Sequence, residues 1–117
     1  LSLTYCRIAE AYHYLNIYEK SYKMYLKSVN LSPNNLDFLL KISVLEIKMS
    51  KFEQAKIRLE EILKLNPNFE KAYYNLGLIY LNVESNLDMA KSYFEEALKL
   101  NPDYIQAKEM IKYIESN

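Results

Sequence analysis

His13 and Cys6 are the side chains of this sequence best suited to bond-making chemistry, and there is one of each type. A lone imidazole leaves no second histidine for a His-based metal site or a His-paired dyad elsewhere in the chain. Cys6 and His13 stand seven residues apart, which on a helix is two turns along one face, about 10 Å. A thiol and its base must come within hydrogen-bond reach, so the pair is not a catalytic dyad. Carboxylate pairs occur at Glu60-Glu61 and Glu95-Glu96, but adjacent helical residues diverge by about 100°. Lys56, Lys64, Lys91 and Lys99 lie within helical reach of those acids, so the pairs read as an ion-paired outer face. A single glycine, Gly77, excludes a glycine-rich phosphate loop. Twelve tyrosines invite a base-stacking reading, yet no basic track runs among them. The residues point to no catalysis, no metal and no cofactor, and the chain is expected not to be an enzyme.

The elements that position these side chains are set by three prolines. Pro33, Pro67 and Pro102 each follow a near-identical phrase: Val29-Asn30-Leu31-Ser32, Leu63-Lys64-Leu65-Asn66 and Leu98-Lys99-Leu100-Asn101. The spacings of 34 and 35 residues mark a solenoid, whose units bury their apolar faces only against one another. Between the prolines, apolar residues recur at helical spacing and never alternate for long, so each unit reads as two helices. They are expected at about Leu3–Leu15 and Tyr18–Leu31, Leu36–Met49 and Phe52–Leu65, and Phe69–Val83 and Leu87–Leu100. Proline ends each second helix because it lacks an N–H and its ring clashes with the preceding turn.

The extra residue of the third unit can be placed. Tyr5, Leu39 and Tyr73 keep a spacing of 34, whereas Ser21, Ala55 and Ala90 step by 34 and then 35. The insertion therefore lies in the inter-helix turn, within Asn82 to Asp88, where Glu84-Ser85-Asn86 can bulge outward at little cost. A seventh helix is expected at the end, with Ala107, Met110, Ile111 and Ile114 as its apolar stripe and Gln106, Lys108, Lys112 and Glu115 opposite. A polar outer face is what a terminal helix needs. No comparable cap precedes Leu3, and the array is expected to continue upstream in a parent protein.

Composition bounds the setting. Half the 117 residues are apolar and 26% are charged, as in a soluble chain long enough for one domain, 1–117. Fifteen basic and fifteen acidic residues cancel, so nucleic acid is not an expected partner. No apolar run approaches the roughly 20 residues of a membrane span, and no signal-peptide pattern is present. One cysteine rules out an internal disulfide and suits a reducing, cytoplasmic compartment.

With these positions in view the chain resembles a tetratricopeptide repeat protein. The third unit carries the pattern in Tyr73, Leu76-Gly77, Tyr80, Ala90, Phe94, Ala97 and Pro102, and the first repeats it in Tyr5, Ile8, Ala9, Tyr12, Ser21, Tyr25, Ser28 and Pro33. The second departs furthest, with Ser43 for the glycine, Glu46 for an aromatic and Ile62 for a small residue. The resemblance implies an all-α, right-handed superhelical solenoid of three helix pairs plus a capping helix. The repeats would span about 2–35, 36–69 and 70–104, with the cap at about 104–116.

The resemblance further implies a concave face lined by first helices that holds a peptide or partner helix. Leu40, Val44 and Ile47 form a stripe outside the pair-packing positions, and Tyr74, Leu78 and Leu81 repeat it. Equivalent places are Cys6, Glu10 and His13, with Tyr14 beside them, and Glu109 and Tyr113 in the last helix. Leu40, Val44, Tyr74 and Leu78 are thus the expected central contacts, with Glu10, His13, Tyr14, Lys48, Lys71, Asn75 and Asn82 setting polarity and register. Some members of the family grip chaperone C-termini with basic and amide side chains. Cys6, Glu10 and Lys41 break that pattern here; Lys71 fits it, and Asn75 stands where a second basic residue belongs. The expected function is a protein-interaction module or scaffold. The alternatives are a self-associating subunit, a homodimer for instance, and a regulatory or targeting arm of a larger protein, enzymes included.

Overall fold

The computed structural model describes residues 1–83 and 85–116. Among them lie seven helices and no strand. They are α1 (Ser2–Tyr14), α2 (Tyr18–Leu31), α3 (Leu36–Lys48), α4 (Phe52–Leu65), α5 (Glu70–Asn82), α6 (Leu87–Leu100) and α7 (Ile105–Glu115). The expected helices all form: α2, α4 and α6 with the expected bounds, and α1, α3, α5 and α7 with ends displaced by one or two residues. The chain divides into two compact units, Leu1–Leu65 with α1 to α4 and a second from Asn66 with α5 to α7.

Each proline is the second residue of a tight turn. Asn35, Phe69 and Tyr104 donate their N–H groups to the carbonyls of Ser32, Asn66 and Asn101 at 3.2, 3.2 and 3.1 Å, the closure expected with proline at the second position. Asn66 and Asn101 brace their turns by accepting from the N–H of Asn68 at 3.1 Å and of Asp103 at 3.2 Å. Ser32 turns its hydroxyl to Ser2 instead. The next helices then start: Asn35 accepts from the N–H of Phe38 as a side-chain cap.

The turns inside the helix pairs are built differently. Asn16 and Ser50 both sit at φ 61°. Around them Asn16 donates to His13, Ile17 to Tyr12, Ser50 to Ile47 and Lys51 to Glu46. These are paired closures of the Schellman kind, made here without glycine. In the third unit the corresponding bond runs from the N–H of Asn86 to the carbonyl of Tyr80, one residue longer, and Ser85 takes the positive φ of 48°. The insertion therefore does lie in this turn; Glu84, included in its expected bulge, lies outside the described residues. A side chain at positive φ is strained, and serine more so than asparagine. Ser50→Gly should raise stability by roughly 0.5–1 kcal/mol, visible as a melting temperature a few degrees higher, and Asn16→Gly by less.

In the first unit Ala9 and Ser21 are fully buried where α1 crosses α2, and the Ser21 hydroxyl donates to the Ala9 carbonyl at 2.7 Å. Tyr25, Phe38, Leu39, Ile42, Leu45, Ala55, Leu59 and Ile62 complete this core. Into it is set a charge. Glu46, standing where an aromatic was expected, is fully buried. It accepts from the Tyr22 hydroxyl at 2.7 Å and from Arg58 at 3.2–3.3 Å, so three helices meet on one carboxylate. In the second unit Ala90, Phe94, Ala97 and Ala107 form the buried centre. Gly77 leaves room there: a Cβ at that position would stand 2.6 Å from the Phe94 ring.

The acid-lysine face partly follows expectation. Lys99 pairs with Glu96 at 3.2 Å, but Lys91 reaches Glu115 of α7 at 3.1 Å. That partner lies across a helix interface, which local spacing does not reveal.

Candidate functional site

In the first unit, α1 and α3 are tied by two polar links. Lys41 bonds to Glu10 at 3.0 Å and to Asp37, one turn back on its own helix, at 3.1 Å. Burial lowers the Lys41 pKa, but the hydrogen bonds to Glu10 and Asp37 outweigh it and leave the ammonium raised. Further along, the Lys48 ammonium donates to Nε2 of His13 at 3.2 Å. The imidazole also meets the rings of Tyr18 and Tyr25 edge-on, at 5.6 and 6.5 Å. Burial and then the Lys48 charge hold His13 below its ordinary range, so it stays neutral as an acceptor. Leu40 and Val44, one turn apart on α3, remain half-buried. Tyr14 is 88% exposed.

Cys6 was expected to line the same face, but it is fully buried and its thiol lies 4.0 Å from Glu10. Burial pushes its pKa up, which makes it a poor nucleophile. The thiol is directed to Glu10 among the described residues, and the His13 ring nitrogen to Lys48. Among the described residues no cluster of His, Cys, Asp and Glu has metal-binding geometry.

In the second unit the α5 face is more covered. Tyr74 and Leu78 pack on the buried centre, with the Tyr74 ring 5.5 Å from Phe94 and stacked 5.1 Å from Tyr104. Asn75 is buried and donates its amide to the Lys71 carbonyl at 2.8 Å, while Lys71 itself is exposed. Asn82 donates to the Leu78 carbonyl at 3.0 Å. With Leu81, Ser85, Leu87, Tyr113 and Ile114 it borders a hollow of about 260 Å³.

Two of these groups escaped the sequence reading. Asp37 was detectable, four residues before Lys41 on one helix. Tyr104, lying past a proline turn, carried no such signal. Burial, then Tyr74, pushes the Tyr104 phenol up to about 12. An unfolded tyrosine ionises near 10, so the folded chain holds this proton through pH 10–12. Its contribution is intact below pH 10 and lost as pH rises through that window. Urea midpoints between pH 9 and 11.5 should therefore fall less steeply for Tyr104→Phe than for the unaltered chain.

No helix among the described residues is long and apolar enough to cross a membrane. A tetratricopeptide repeat family model matches residues 3–35 and 70–104. The stretch between the matches is where Ser43, Glu46 and Ile62 depart from the pattern. No curated protein matches the chain. Among solved structures, the first such repeat domain of Spaghetti (RPAP3), bound to the HSP90 peptide SRMEEVD, is 22% identical, covers 98% of this chain and 90% of its own, and has a TM-score of 0.88. The Arabidopsis OM64 domain is 19% identical over 98% and 94%, TM-score 0.90. The Sgt2 domain of Aspergillus fumigatus is 18% identical over 98% and 77%, TM-score 0.87. At such identities they establish the fold.

Proposed function

Because the chain belongs to the tetratricopeptide repeat family, whose domains are protein-interaction modules, we propose that its first helices take a peptide or helix with apolar anchors. The observation that carries this reading is the Leu40–Val44 pair, left half open on α3, the helix whose Lys41 and Lys48 are already held by Glu10, Asp37 and His13. Tyr74 and Leu78 offer an apolar surface on α5 of the second unit, with Lys71 exposed beside them. Apolar surface rimmed by satisfied charges favours a partner that buries hydrocarbon rather than one that brings charge. Tyr14 and Asn82 supply exposed polar atoms for orientation. Asn75 acts through the α5 backbone, since its amide is already bonded there.

The same contacts argue against a chaperone-tail carboxylate as ligand. Cys6 is buried, Glu10 would repel it, and Lys41 is already neutralised by two carboxylates. Titration with the SRMEEVD peptide should show no saturation up to about 1 mM.

The test is selection of peptides from a random library on the full chain, followed by Leu40→Glu and Leu78→Glu. Losing one buried apolar anchor is worth about 1.5–3 kcal/mol, so a peptide held by the first unit should weaken roughly 10- to 100-fold with Leu40→Glu, and one held by the second unit with Leu78→Glu. Retained binding in both, or selected peptides without apolar anchors, sinks the proposal. Molar mass that rises with concentration, and falls back in Leu78→Glu, would instead assign the surface to a second copy.

A further inference from the structure

The bond that ties the C-terminal ends of α1 and α3 joins two groups that can both be cations. Nζ of Lys48 lies 3.2 Å from Nε2 of His13, which stands 35 residues earlier in the chain. An ammonium can only donate, so Nε2 must offer its lone pair, and the ring proton sits on Nδ1. The lone pair that accepts from Lys48 is therefore the one that a further proton would take. Bond and proton exclude each other.

The surroundings of the imidazole decide which of the two it holds. From α2 it meets the rings of Tyr18 and Tyr25 edge-on. On its own helix Glu10, one turn back, favours the charged ring, but Lys41 of α3 already holds that carboxylate at 3.0 Å. Burial and then Lys48 act the other way and prevail, so His13 is held below its ordinary 6.5. Both groups stand in the last turn of their helices, where the carbonyl ends favour positive charge. Once both are charged, each is better served by its own helix end than by the other. Repeat spacing puts Ile47 and Leu81 at the position of His13, so the pair belongs to this sequence and not to the repeat pattern.

We propose that His13 and Lys48 form a proton-operated latch between α1 and α3, closed while the imidazole is neutral and opened when Nε2 takes a proton. The Lys41–Glu10 link remains in the open form, so the helices are released at one end and stay tied further back. Val44, one turn before Lys48, lies toward the released end. The latch does not depend on what that surface binds.

His13 is the sole histidine, so NMR can follow its ring protons in the full chain without ambiguity. Its titration midpoint should lie below 6.5 and move up toward 6.5 in Lys48→Met. Lys48 is exposed, so this variant should fold as the unaltered chain does. The Lys48 side-chain methylene signals should follow the same midpoint. In His13→Gln, whose amide oxygen accepts at every pH, they should stay flat from pH 7.5 to 5.5. A folded pKa below the unfolded one adds stability that is complete above about 6.5 and lost as pH falls below it. Urea midpoints over that range, which lies above the ordinary carboxylate pKa values, should thus fall more steeply in the unaltered chain than in His13→Gln. A His13 midpoint at or above 6.5, or one that Lys48→Met leaves in place, overturns the proposal. So do Lys48 signals indifferent to the His13 titration, and urea midpoints that fall equally in both chains.

Discussion

Replacing Arg58 with methionine should cost about 3–5 kcal/mol, because among the described residues it leaves the buried Glu46 carboxylate with the Tyr22 hydroxyl as its one remaining partner. The loss is a large share of the 5–15 kcal/mol that holds a typical domain. It should lower the melting temperature by roughly 10–20 °C. The cost comes from the stranded charge, not from the missing attraction, so removing the charge as well should repair it. Glu46→Leu combined with Arg58→Met is expected to recover most of the loss. Chemical denaturation of both single variants and the double variant measures the cycle. A double variant as unstable as Arg58→Met would refute this account of the site.

Phe94→Ala should be comparably severe. The ring is fully buried at the centre of the second unit, against Tyr74 and over the space left by Gly77. Emptying such a site costs about 3–5 kcal/mol. The same geometry makes Gly77 and Phe94 non-additive. Gly77→Ala alone drives a methyl to within 2.6 Å of the ring, which outweighs the roughly 1 kcal/mol that alanine gains over glycine within a helix. In a Phe94→Leu background the ring is gone, and Gly77→Ala should turn stabilising. Thermal melts of the four chains decide it. An alanine that destabilises equally in both backgrounds would mean the contact is not what requires glycine.

These two sites differ in how far they could be read from sequence. Gly77 and Phe94 were legible because both belong to a pattern repeated at fixed period, and small-against-large pairing follows from helices that cross closely. The helix pairs, the proline turns and the position of the extra residue were legible for the same reason. Each depends on local chemistry that recurs. Glu46 announced itself only as a departure, an acid in an aromatic's place. Its partner Arg58 lies twelve residues on, beyond a turn, and only the crossing of α3 and α4 brings the two together. Lys91 with Glu115, and Tyr74 with Tyr104, were hidden likewise. Cys6 was assigned by register to an open face, yet it is covered. Periodicity gives the face of a helix, but not how deeply a neighbour overlaps it.

Within each unit, every extensive helix contact joins elements consecutive along the chain: α1 with α2, α2 with α3, α3 with α4, then α5 with α6 and α6 with α7. Little of the backbone must therefore wait for a distant partner before it can order. Closing short loops sacrifices little entropy, and proteins dominated by such contacts reach the native state in microseconds to milliseconds. Synthesis on a ribosome delivers only about 5–20 residues per second. Contacts among the helices already made can thus equilibrate long before the next pair emerges, while each pair gains its full stability only as its neighbours arrive.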